Sequence, residues 1–123
     1  MNRIALTLAG LAFAAGAAQA DDCAAPETPV VPDGKTASME EMVAGQEEVK
    51  AFQTANLEYR NCLDPKIVAA TANVTAEDAS KEDVAELKEL NEAYNEAVTR
   101  EEHLAEQFNT QIREFKAAND SDG

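Results

Sequence analysis

SMEEMVAGQEEVKAFQTANLEYRNCL, residues 38–63, is the stretch that decides the fold. Its apolar and small positions are Met42, Gly45, Val49, Phe52, Asn56, Tyr59 and Leu63. The steps alternate three and four, which is the seam spacing of a packed helix. Ser38 with Glu41 three residues on is a capping box, so the helix opens there. Asn56 interrupts the seam with an amide. Gly45 leaves a thin spot, which either admits another segment or costs about 1 kcal/mol of helix propensity. Pro65 lacks the donor a helix interior needs, so the first helix is predicted over 38–63. Asp64-Pro65 can restart a short helix over 65–72. Ile67, Val68, Ala69 and Ala70 would then form a small lid over the hairpin end.

A second long helix follows, predicted over 76–117. Thr75 with Asp78 and Ser80 with Asp83 are both candidate starts. The expected seam runs Val84, Leu87, Asn91, Tyr94, Val98, Glu101, Ala105, Phe108, Ile112 and Phe115. Leu90, Ala97 and Leu104 widen it on one flank. Residues 119–123 read as a frayed polar tail. Two amphipathic helices with a modest connection predict an antiparallel hairpin over 38–118.

Upstream, Cys23, Pro26, Pro29 and Pro32 recur every third residue, and Asp33-Gly34 marks a turn. A polyproline II segment has three residues per turn, so all four would line one edge. The Pro-x-x-Pro spacing also suits an SH3-type groove, but a basic flank is thin and intramolecular packing is preferred. The 15 steps from Cys23 to Ser38 span ~46 Å in that conformation, and the 24 helical steps from Ser38 to Cys62 span ~36 Å. The Pro-rich segment, residues 21–37, is therefore long enough to run back along helix 1. The predicted class is all-α: an antiparallel two-helix, coiled-coil-like hairpin with an extended Pro-rich N-terminal segment packed on helix 1.

Residues 1–20 have the order of a secretory signal. A basic start at Arg3 precedes an uncharged Ala/Leu run, and Ala18-Gln19-Ala20 supplies small residues at a cleavage site. Fifteen apolar residues fall short of the roughly 20 a spanning helix needs. Cys23 follows Asp21-Asp22 rather than small apolar residues, which argues against lipid attachment. Cleavage near Ala20 would place the protein in the periplasm or outside the cell, without stable membrane insertion. In that oxidising setting Cys23 and Cys62 are expected to form a structural disulfide, with free or intermolecular thiols as the alternatives.

The chain has 123 residues with 10 Lys+Arg and 24 Asp+Glu, a formal charge of −14. Removal of residues 1–20 takes away one Arg and no acid, which makes it −15. Such a charge repels phosphate backbones, so no nucleic-acid partner is expected. His103 is the sole histidine, flanked by Glu102 and Glu106. A di-iron bundle would need Glu at position 100, which is Arg100, and neither Cys has a C-x-x-C ligand partner. No metal, cofactor or catalytic residue is therefore assigned, and the chain is read as not an enzyme. Glu101 is expected to pair with Arg60 or Lys50 across the hairpin, or to sit at its edge. Asn56, Asn91, Asn95 and Gln107 are read as amides that fix helix register, and Tyr59 and Tyr94 as core. Asn73-Val74-Thr75 is read as a chance glycosylation match.

The run Cys23-x-x-Pro26-x-x-Pro29-x-x-Pro32-Asp33-Gly34, with Ala37-Ser38-x-x-Glu41-Met42, Val49-Lys50-Ala51-Phe52, Tyr59 and Cys62-Leu63, resembles a family of small uncharacterised exported proteobacterial proteins. Tyr94-Asn95-x-Ala97-Val98, Phe108-Asn109 and Ile112-Arg113-x-Phe115-Lys116 extend the resemblance through the second helix. It implies a periplasmic location and a paired-cysteine helical architecture, and no activity. The function expected is a non-enzymatic structural or interaction module, acting as a homodimer or with an envelope protein partner. The alternative is a holdase-like or envelope-stress binding protein.

Overall fold

Two capping boxes start two helices. Ser38 Oγ accepts from the Glu41 backbone N–H at 3.1 Å, and the Ser38 N–H donates to Glu41 Oε2 at 3.2 Å. The same reciprocal pair joins Ser80 and Asp83. In the computed structural model, which describes residues 23–120, α1 spans Met39–Thr75 and α2 spans Lys81–Asn119. They pack as an antiparallel all-α hairpin. The signal segment, residues 1–20, lies outside the described residues, as do residues 121–123 of the expected tail. Asn119 itself still belongs to α2.

α1 does not stop at Leu63. It runs through Pro65 to Thr75, so the expected break and the separate helix over 65–72 are corrected. An interior proline costs about 3 kcal/mol through its missing donor and its ring. Here Pro65 and Asn61, whose carbonyl loses that donor, are both exposed, so water can satisfy the freed oxygen. On the inner side Leu63 and Ala70 are buried and Ile67 packs with them against Leu90 of α2. Packing on both sides of the proline thus outweighs its local penalty. Val68 and Ala69, expected in a lid, face solvent. The hairpin turn is short: Ala76 caps α1, Ala79 N–H donates to Ala76 O at 3.2 Å, and Ser80 opens α2. Ser80, not Thr75, is therefore the start signal that operates.

The α1 seam is as spaced in the sequence, with Met42, Gly45, Val49, Phe52, Asn56 and Leu63 buried. The α2 seam is corrected. Leu90, Ala97, Leu104 and Phe108 are its centre, with Ala97 and Leu104 each 1% exposed. Val84, by contrast, is 58% exposed, and Asn91 faces solvent. The expected seam shares Leu87, Tyr94, Glu101, Phe108 and Phe115 with the observed one. It errs at Val84 and at positions 91, 98 and 105, each of the last three one residue past the buried Leu90, Ala97 and Leu104, while Ile112 does pack against the core. One residue is 100° of helix, enough to move a side chain from the core to its flank.

Residues 23–32 run back along the hairpin. Cys23 and Cys62 form a disulfide with Cα atoms 5.6 Å apart. At the other end Pro32 rests on Gly45, where an added Cβ would lie 2.7 Å from Pro32 Cδ. Between those anchors, α1 advances ~26 Å over 17 residues. Nine steps of the N-terminal segment cover that distance at ~2.8 Å each, close to the ~3.1 Å of polyproline II. Pro26, Pro29 and Pro32 are all partly covered, while Val30 is exposed, so the period of three does set the inward edge. The segment touches both helices. Gly34 is buried against α2, its N–H donating to Gln111 Oε1 at 2.8 Å.

The core falls into two apolar clusters. Met42, Val49, Phe52, Leu104 and Phe108 form one at the open end, joined by Val31, Ile112 and Phe115. Cys23, Leu63, Ala70 and Leu90 form the other, joined by Tyr59 and Tyr94.

Candidate functional site

Between the two clusters sits the buried amide. Asn56 is 1% exposed, and its Nδ2 donates to Ala97 O at 2.9 Å and to Glu101 Oε1 at 3.3 Å. Arg60, one turn beyond Asn56, brings Nη2 to 3.6 Å from the same Glu101 oxygen. Of the two expected partners for Glu101, Arg60 is thus the one that meets it. Arg60 Nε is buried without a hydrogen-bond partner. The Arg60 side chain is about a fifth exposed, so water still screens the pair. An amide and a cation converge on one carboxylate from the opposite helix. That arrangement holds a register, since sliding α2 by one turn would strand a buried amide and a charge.

The other amides do not share this role. Asn91, Asn95 and Gln107 are exposed, and the register reading of them is corrected: each lies a residue or two off the true seam. Tyr59 and Tyr94 pack at the disulfide end as expected. His103 is exposed and borders a shallow groove with Val31, Glu106, Gln107, Thr110 and Gln111. Among the described residues no three His, Cys, Asp or Glu side chains converge as a metal site. No described helix is long and apolar enough to cross a membrane.

Two faces of the hairpin differ. On one, the N-terminal segment fills the groove between the helices. Cys23, Ala24 and Pro26 meet Ala55, Glu58 and Tyr59 of α1, and Val31 meets Gln107 and Gln111 of α2. On the other, nothing among the described residues covers the groove. It is lined by Gln46, Lys50 and Gln53 of α1 and by Ala105, Asn109 and Ile112 of α2. Toward the open end it continues past Met39, Val43, Phe115 and Lys116 as a cleft of about 250 Å³. Family models, curated proteins and solved structures yield no match to this chain.

The uncovered face explains the misplaced seam. Positions 84, 91, 98, 105 and 112 carry Val, Asn, Val, Ala and Ile, with no charge. Apart from Asn91 they are apolar, and of them only Ile112 reaches the core. On α1 the same face carries Met39, Val43, Leu57 and Val68, which are four of the large hydrophobics left exposed, Met39 at 63% and Leu57 at 49%. Seam spacing does not find them, because each falls outside the seam. The signal that does is a second apolar stripe, displaced about 100° from the first.

Proposed function

We infer that this protein is a non-enzymatic structural or interaction module of the periplasm, working through its helical hairpin. One observation carries the inference. The N-terminal segment is pinned by Cys23–Cys62 over one face, and the opposite face is left uncovered, apolar toward the open end, with Gln46, Lys50, Gln53 and Asn109 further in and no acid lining the groove. In a chain of formal charge −14 such a face is not needed for solubility. Contiguous exposed apolar surface marks contact with another macromolecule. A disulfide supports an oxidising compartment, and the order of residues 1–20 supports export into it. The resemblance to the small exported proteobacterial family stands in the same proposal.

The test is cross-linking in intact cells, followed by mass spectrometry of the linked peptides. Links from residues 39–57 or 98–116 to a second copy or to an envelope protein are expected. A protein that stays monomeric and unlinked would overturn the inference.

A second reading, a holdase-like binder of unfolded clients, draws on the open-end cleft. Met39, Met42, Val43 and Phe108 line it, and methionines suit varied apolar ligands. Suppression of client aggregation at equimolar protein would support it, and none at that ratio would remove it.

A further inference from the structure

We propose that the uncovered face pairs with the same face of a second copy, antiparallel, about a two-fold axis level with Leu57 and Val98. This rests on the interaction-module reading and names its partner.

The charges on the α1 stripe are arranged for self-pairing. Arg60 is engaged by Glu101. That leaves Lys50 and Asp64, both exposed and neither in an ion pair among the described residues. They lie seven residues before and seven residues after Leu57. Seven residues are two helical turns, so all three share one line of the helix. Stacking α1 antiparallel on its copy with Leu57 at the axis sets Lys50 opposite the copy's Asp64, twice. A two-fold interface requires this reciprocity.

The second helix fits the same axis. Asn56 is hydrogen-bonded to Ala97, which sets Leu57 and Val98 at nearly one level. About Val98, position 84 meets 112 and position 91 meets 105. Val84, 58% exposed, is then covered by Ile112 of the copy. Leu57 is also the midpoint of α1, which spans Met39–Thr75, so the helix overlaps its copy end to end. At ~1.5 Å per residue the overlap is ~55 Å long. With neighbouring helices ~10 Å apart, a face ~20 Å wide gives ~1,100 Å² per copy. The total exceeds the roughly 1,600 Å² of a stable interface. The result is a four-helix bundle with its acids on the outside and the two N-terminal segments on opposite faces.

The test is a charge-swap cycle on the exported, disulfide-intact protein, with association measured by sedimentation or light scattering across concentration. Wild type is expected to dimerise. Lys50→Asp and Asp64→Lys each place like charges together twice, and each is expected to weaken the dimer about ten-fold. The double variant K50D/D64K is expected to return within about three-fold of wild type. Asp64→Lys separates this from a bulk charge effect, because lowering the net negative charge by itself would strengthen association. Glu47→Lys, on the outer side of α1, serves as the control and is expected not to weaken it. A wild-type monomer at ~100 μM overturns the proposal. So does a dimer in which the swaps have no effect or the double variant does not recover. In that last case, or if cells show links to a different envelope protein, the interaction reading survives and only this pairing fails.

Discussion

Asn56 donates from its side-chain amide to the backbone carbonyl of Ala97, 2.9 Å away on the opposite helix. The bond sits between the two apolar clusters and ties the α1 seam to the backbone of α2. The same amide also donates to Glu101 Oε1, the oxygen that Arg60 approaches. Truncating Asn56 leaves the Ala97 carbonyl only its helical donor and removes a buried amide from between the clusters. Asn56→Ala is expected to cost about 2 kcal/mol in urea unfolding. With Glu101→Ala added, the loss is expected to be clearly less than additive, because both belong to one network.

The bridge between Cys23 and Cys62 spans 39 residues of sequence. In the chain-entropy model a loop of that length contributes roughly 3–4 kcal/mol. Replacing both cysteines by Ser is expected to lower the urea midpoint by that equivalent. The mass of the exported protein should be unchanged by alkylation until a reductant is added. Two thiols labelled in native protein would contradict the pairing.

Gly34 and Gly45 both lie where another segment comes close, with different tolerance. A Cβ on Gly34 would overlap Gln111 O and lie 2.8 Å from Phe115 N, both backbone atoms of α2 that cannot move aside. At Gly45 the obstacles are the Pro32 ring and, at 3.3 Å, Phe108 Cε2. There Ala also recovers about 1 kcal/mol of helix propensity. Gly34→Ala is expected to cost about 2–3 kcal/mol, and Gly45→Ala about 1 kcal/mol or less. Thermal unfolding monitored by circular dichroism would rank them.

Pro65 sits on the exposed side of α1. Replacing it by Ala restores the backbone donor toward Asn61, removes the ring and leaves the core packing as it is. Pro65→Ala is expected to raise stability by about 2 kcal/mol. A fall in the urea midpoint instead would mean the proline bends α1 into its fit with α2.

Asp83 gives a pH signature. The Ser80 backbone N–H, and after it the Ser80 hydroxyl, hold the Asp83 carboxyl below its usual value. A carboxylate lowered on folding adds stability above its unfolded value of about 3.9, and that stability is lost as pH falls through the lowered folded value. Asp83→Asn is expected to remove this component of the acid-side slope. The gap between wild type and variant should narrow below about pH 3.9 and stay constant above it.

Local chemistry made much of this protein legible in its sequence. The capping boxes at Ser38 and Ser80, the α1 seam from Met42 to Leu63, and the period of three from Cys23 to Pro32 each depend on near neighbours in the chain. The lengths of helix and proline segment allowed Cys23 to reach Cys62, and geometry needed only to agree. Tertiary structure decided the rest. Pro65 stays helical because Leu63, Ile67 and Ala70 pack around it, an energy that no local rule contains. Leu104 rather than Ala105 faces the core because α1 lies on that side. Two apolar stripes 100° apart look alike until a partner helix chooses between them. The stripe left over, through Leu57 and Val98, is the one that α1 and α2 do not bury against each other.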